Sequence, residues 1–173
     1  VRITPCTEGG VPLQFWVHRG SVDPEQLARA LLAQVDLDPI DIGMVPREGR
    51  DSMGVVGLPV WMWVDGPDRT TWGPASISAG GMSLTARVKK IVWSMGDGTK
   101  ITCDKGTEWR KSDETDESPD CGHIYKKQGR YEVRATSYWE ADWSGYGRSG
   151  TIPFTLSSTR QLPIGEYQVI VTR

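Results

Sequence analysis

The stretch from residue 91 to residue 138 constrains the fold more than any other part of the chain. It runs Ile91-Val-Trp-Ser-Met-Gly-Asp-Gly-Thr99, then Cys103, then Cys121-Gly-His-Ile-Tyr125, then Gly129-Arg-Tyr-Glu-Val-Arg-Ala135. Alternating apolar and polar residues predict strands at both ends, because successive strand side chains point to opposite faces. Gly96-Asp97-Gly98 predicts a tight turn: the glycines take positive φ and the aspartate bonds nearby backbone amides. A strand, a turn, an acidic excursion between two cysteines and a returning strand are the parts of an antiparallel β-sandwich.

Short strand signals continue on either side. Val60, Met62 and Val64 alternate with Trp61 and Trp63 between Pro59 and Asp65-Gly-Pro67. Ser76–Ala79 and Ser83–Lys89 flank Gly80-Gly81, and Ile91–Met95 is expected to turn back on the strand before it. Lys100–Cys103, the alternation through Tyr131, Val133 and Ala135, Thr151–Ser157 and Glu166–Thr172 complete the set. Such a series fits a two-sheet sandwich over residues 58–173. Ahead of it, residues 1–57 read as an extension. Leu13, Phe15 and Val17 suggest one short strand, and a further one is expected around Ile40–Met44. Asp23-Pro-Glu-Gln26 is a helix start, with Asp as N-cap and Pro at the first helical position. The helix expected over 24–35 carries Leu27, Leu31 and Val35 on one stripe. That stripe must lie against the sandwich or against another chain.

With 20 basic and 22 acidic residues the chain has a formal charge of −2, so it has no basic field to hold a nucleic-acid backbone. The longest apolar run, residues 55–64, is broken by Gly57 and Pro59 and is too short to cross a bilayer. The sequence opens on Val1, which is the expectation for a processed product. Membrane association is expected only through a segment outside this chain.

Cys103 and Cys121 bracket an acidic loop with few apolar residues to hold it down. A disulfide between them would close a loop of about 18 residues and stabilise the fold by roughly 3 kcal/mol. It would also place the protein in an oxidising compartment. Two reduced thiols are the alternative reading. Cys6 is then left over.

Few residues suggest chemistry. His18 and His123 are the only histidines, which excludes a multi-histidine zinc site. A Cys6–His18 nucleophile pair has no orienting third group beside it. Asp97 between two glycines reads as a turn former before a Ca²⁺ ligand. Asp104, Asp113, Glu114, Asp116, Glu117 and Asp120 lack the spacing that pre-forms a calcium cage, and read as a solvated loop. No catalytic residue, metal or cofactor is therefore expected. The eight tryptophans are the open question. Trp93 and Tyr131 fall on inward faces. Trp72 and Trp109 sit in loops, and Tyr138, Trp139, Trp143 and Tyr146 in a stretch rich in Gly and Ser. Exposed, these rings would stack on sugars or anchor a protein interface; buried, they would cap the ends of a small sandwich. The helix stripe at Leu27 and Leu31 is the other candidate docking surface.

Val92-Trp-Ser-Met-Gly-Asp-Gly-Thr99, followed by His123-Ile-Tyr125 and Gly129-x-Tyr131-x-Val133, resembles the polycystin-type (PKD) immunoglobulin-like β-sandwich domain. Ser94 and Met95 depart from its usual Asp and Phe, and the cysteine-bracketed insertion is extra. The resemblance implies that His123 bonds a neighbouring turn. A wider pattern is similar to a family of secreted or envelope-anchored actinobacterial proteins. It comprises the capped helix, Gly57-Leu-Pro-Val-Trp61, Trp72-Gly-Pro74, Met95-Gly-Asp-Gly98, Ser118-Pro-Asp-Cys-Gly-His123 and Trp143-Ser-Gly145. That family implies location and fold, not an activity. Its members often carry a nucleotide-binding label, but no Gly-x-x-x-x-Gly-Lys-Ser/Thr loop occurs here, so nucleotide binding is not expected. The expectation is a non-enzymatic, extracytoplasmic interaction or assembly module with an envelope or secreted protein partner. Glycan or cell-wall binding through loop tryptophans is the alternative.

Overall fold

The computed structural model describes residues 23–47, 52–113 and 117–167. Cys6, His18, the expected strand around Leu13–Val17 and the end of the expected strand Glu166–Thr172 lie outside the described residues. The fold is mainly β, with one helix.

The helix α1 spans Pro24–Leu32 and starts where its cap predicts: the Asp23 carboxylate accepts the Glu25 N–H at 3.1 Å. It ends a turn earlier than the stripe suggests. Gln34 and Val35 donate to the carbonyls of Leu31 and Leu32, three residues back, which tightens the last turn before Asp36.

The strands are β1 (Ile42–Val45), β2 (Gly54–Val55), β3 (Pro59–Val64), β4 (Ala75–Ala79), β5 (Met82–Ser94), β6 (Lys100–Cys103), β7 (Gly122–Ile124), β8 (Gly129–Gly145) and β9 (Arg148–Gly165). One antiparallel sheet has the order β1-β3-β7. The other runs β2-β9-β8-β5-β4, with β6 also on β5, and it curls. One core fills the space between them, with Trp93, Met62, Tyr125, Val133 and Trp139 fully buried. Helix α1 inserts Ala28 and Leu31 into that core against β4, β5, β8 and β9. Residues on both sides of position 57 therefore share sheets: β1 pairs with β3, and β2 pairs in parallel with the end of β9.

Two expectations need correction. Residues 82–94 are one strand and not two joined by a turn. The apolar phase Met82, Leu84, Ala86, Val88 changes to Ile91, Trp93 because a β-bulge at Lys89–Lys90 absorbs one residue opposite Tyr138. A phase change in an alternating pattern is the mark of a bulge as much as of a turn. Secondly, residues 138–146 are not a loop. Residues 138–145 continue β8, which pairs with β9 from Gly129↔Ile164 to Gly145↔Arg148, and Tyr146 with Gly147 forms the two-residue turn between them. Positive φ at Tyr146 (51°) and Gly147 (71°) gives that turn the type I′ twist that suits a hairpin.

Candidate functional site

The Gly-Asp-Gly turn is tied to the segment that follows the second cysteine. Gly96 takes φ 78°, and a Cβ there would lie 2.9 Å from the Glu132 carbonyl, so the turn can sit on β8 only as glycine. Asp97 accepts the Thr99 N–H at 2.9 Å on one carboxylate oxygen and meets His123 Nε2 at 2.8 Å on the other. Partial burial pushes the Asp97 carboxyl up, but the bonds from Thr99 and His123 outweigh it and hold it below the usual carboxylate range. The Tyr125 hydroxyl donates to the Met95 carbonyl at 2.7 Å, and its ring stacks on Tyr131. Burial, then the charges of Asp97 and Tyr131, drives the Tyr125 phenol well above its ordinary value. This constellation fastens a turn: each polar group in it already has a protein partner.

The Cys103–Cys121 disulfide is present and joins the end of β6 in the large sheet to the start of β7 in the small one. The loop it closes is more organised in its described part than a solvated acidic loop. Asp120 accepts the backbone N–H and the hydroxyl of Thr107 at 3.0 and 2.9 Å. Asp113 accepts the Arg110 N–H at 2.9 Å, and the half-buried Trp109 donates Nε1 to the Asp113 carbonyl. Asp113 and Asp120 are thus spent on the loop itself. Among the described residues no three His, Cys, Asp or Glu side chains converge on a metal-sized site.

The candidate aromatic and apolar residues separate into three groups. Trp139 and Trp143 point inward from β8 and are 1% and 6% exposed, so their indoles are packing groups closed to a ligand. Leu31 is likewise buried, and Leu27 packs at the margin of the same core, so the helix stripe faces the protein's own interior. Trp72 is half-buried under the Lys105 ammonium, 5.0 Å from its ring centroid. Its carbonyl accepts the Val88 N–H, filling the gap on β5 between β4 and β6. Tyr146 is exposed and donates its hydroxyl to the Gly80 carbonyl, linking the two hairpin turns. Trp109 borders an apolar cleft.

That cleft, of about 250 Å³, is lined by Pro46, Met53, Leu58, Pro59 and Trp109 beside β2 and β3. Met53 and Leu58 are 55% and 54% exposed, the two exposed large aliphatic side chains among the described residues. Sequence reasoning missed both. A signal existed: Leu58 sits in a turn, its N–H bonded to the Val55 carbonyl, and a turn offers an apolar side chain no interior to enter.

No family model matches the chain, and a search of curated proteins finds no match to it.

Proposed function

We propose that this chain is a non-enzymatic, extracytoplasmic interaction module that engages a protein partner of the cell envelope. The observation that carries the reading is the convergence of Met53 and Leu58 on one cleft with Trp109 and two prolines. Other large aliphatic side chains in the described residues are buried or partly buried. Exposed apolar surface gathered in one place, with an indole at its margin, is the composition of an interface hot spot. The disulfide, with both cysteines buried, fits an oxidising compartment. A PKD-like, immunoglobulin-like sandwich is the finer fold reading. Its support is that the residues carrying the resemblance, Trp93, Asp97, His123, Tyr125 and Tyr131, form the core and turn contacts around one another.

The test is cross-linking mass spectrometry on intact cells with the native protein and with a Met53→Asp/Leu58→Asp variant. Recurrent cross-links from the cleft to the same envelope protein, lost in a variant that melts within a few degrees of the native chain, support the reading. Cross-links that survive the double substitution, or cytoplasmic neighbours, overturn it. Recovery with wall glycan and no recurrent protein moves the function to carbohydrate binding through Trp72, Trp109 or Tyr146.

A further inference from the structure

β9, the longest strand, has 18 residues and pairs with β8 along one side; among the described residues the only strand paired on its other side is β2, at Ile164 and Gly165. Midway along it, the Ser158 hydroxyl donates to the Ile40 carbonyl at 2.7 Å, a side-chain bond that leaves the backbone of the edge unpaired. The hairpin geometry shows which of its backbone groups are open. In a two-residue type I′ hairpin the flanking pair, Gly145 and Arg148, exchanges both hydrogen bonds. Counting along the register, the even-numbered residues of β9 bond β8, and the odd-numbered ones point their N–H and C=O away from it. The bond from Val56 N–H to the Gly165 carbonyl, on the outer side, agrees with that parity.

Proline positions fit as well. Pro153 and Pro163 are both odd-numbered, so the N–H each lacks is one that β8 does not use. Open edges are normally blunted by proline, by charge or by a covering strand. Here Pro153 guards one flank and β2 the other. Between them Thr155, Ser157, Thr159 and Gln161 turn uncharged, exposed side chains to the convex face. Among the described residues no strand pairs with them on that edge. Beyond Gln161 the edge runs into β2 and so reaches Met53, whose sulfur lies against Gly165 at the rim of the apolar cleft.

We infer that the β9 edge from Thr155 to Gln161 takes up an extended segment of a protein partner as an added strand, delivering an apolar side chain of that segment into the Met53–Leu58–Trp109 cleft. The occupant follows from the chemistry. A row of alternating N–H and C=O groups spaced along a strand is matched by another peptide backbone and not by a sugar or a phosphate chain. That β2 already adds to this same edge shows that the edge accepts a strand. The inference rests on the reading of the chain as a protein-interaction module and names the part of the partner it binds.

The test uses a synthetic peptide of about nine residues, alternating threonine and valine and ending in leucine, added at up to about 1 mM to the native chain. Amide hydrogen exchange is read residue by residue. The expected result is slowed exchange at Thr155, Ser157, Thr159 and Gln161. Thr159→Pro removes one outward N–H, as Pro153 already does natively, and should weaken the peptide about tenfold. Thr159→Val keeps the N–H and should leave affinity unchanged. No added protection at these amides, or equal binding to Thr159→Pro and Thr159→Val, overturns the inference. Equally slow exchange at all four amides in the peptide-free monomer also overturns it, because the edge would then be covered by the chain itself. If Met53→Asp/Leu58→Asp abolishes envelope cross-links while the edge amides never respond to the peptide, the edge proposal fails and the module reading stands.

Discussion

Two loops carry a half-buried tryptophan each, and they are held by different means. The loop around Trp109, residues 104–120, spans the two sheets and is closed by the Cys103–Cys121 disulfide. Its internal bonds, from Thr107 to Asp120 and from Arg110 to Asp113, lie at the surface. The loop around Trp72, residues 65–74, has no covalent closure. There Asp68 gathers the backbone N–H groups and hydroxyls of Thr70 and Thr71 on a single carboxylate oxygen, at 2.8 to 3.0 Å. The Asp68 carbonyl accepts from Trp72 and Gly73, and the loop is pressed onto β5. Both loops cross between the sheets, one from β3 to β4 and the other from β6 to β7. The shorter crossing is fixed by its local bonds and its seat on β5, whereas the longer one has only surface bonds of its own and gains most from a staple.

The largest effect should come from cutting the staple. Cys103→Ala/Cys121→Ala is expected to cost about 3 kcal/mol in urea unfolding. The amides of residues 104–113 should exchange faster while those of residues 65–74 hold. Equal acceleration in both loops would mean that the staple serves the whole fold and not the loop it closes.

The converse change acts on the other loop. Gly73 takes φ 87°, and a Cβ there would come within 2.7 Å of the Ala86 carbonyl and 3.1 Å of Arg87 Cα. Both obstacles are backbone of β5 and cannot swing aside. Gly73→Ala is therefore expected to cost about 1–3 kcal/mol, with fast exchange confined to residues 65–74 and a changed Trp72 emission. An unaltered melting temperature would show that the loop is not seated on β5 as described.

The same contrast explains what could be read from the chain. Local chemistry was readable wherever a residue type has one cheap use: Asp23 before Pro24 as a helix cap, Gly96-Asp97-Gly98 as a turn, and the cysteine pair around an acidic loop. The resemblance implied that His123 bonds a neighbouring turn, and the structure supplies the partner, Asp97. Strand length was not readable. Gly145, Ser144 and Ser149 look like loop residues, yet they lie near the end of the β8–β9 hairpin, where Ser144 also bonds Ser83 of the neighbouring β5 and backbone pairing needs no apolar side chain. Trp139 and Trp143 fall in that Gly- and Ser-rich stretch, so their burial could not be inferred. The cleft at Met53 and Leu58 depends on β2 meeting the end of β9, a contact between residues more than a hundred positions apart. No local pattern encodes it.

The smallest expected effect isolates the charge on the loop that lacks a staple. Hydrogen bonds from the backbone and hydroxyl groups of Thr71 and Thr70 lower the Asp68 carboxyl from 3.8 to about 2. A depressed carboxylate contributes stability that is complete above its unfolded value and disappears as pH falls through its folded one. Asp68→Asn keeps an acceptor oxygen but loses the charge that strengthens the bonds. Near neutral pH the variant should melt slightly below the native chain. As pH falls from about 4 towards 2 the gap should close, because the native Asp68 becomes neutral as well. Other carboxylates titrate over the same range, but they do so in both proteins, so the difference between the two melting curves reports Asp68. A gap that persists unchanged at pH 2 would assign the loss to the geometry of the amide and not to charge. The Trp72 loop would then be held by shape alone, and its contrast with the stapled loop would be one of backbone fit.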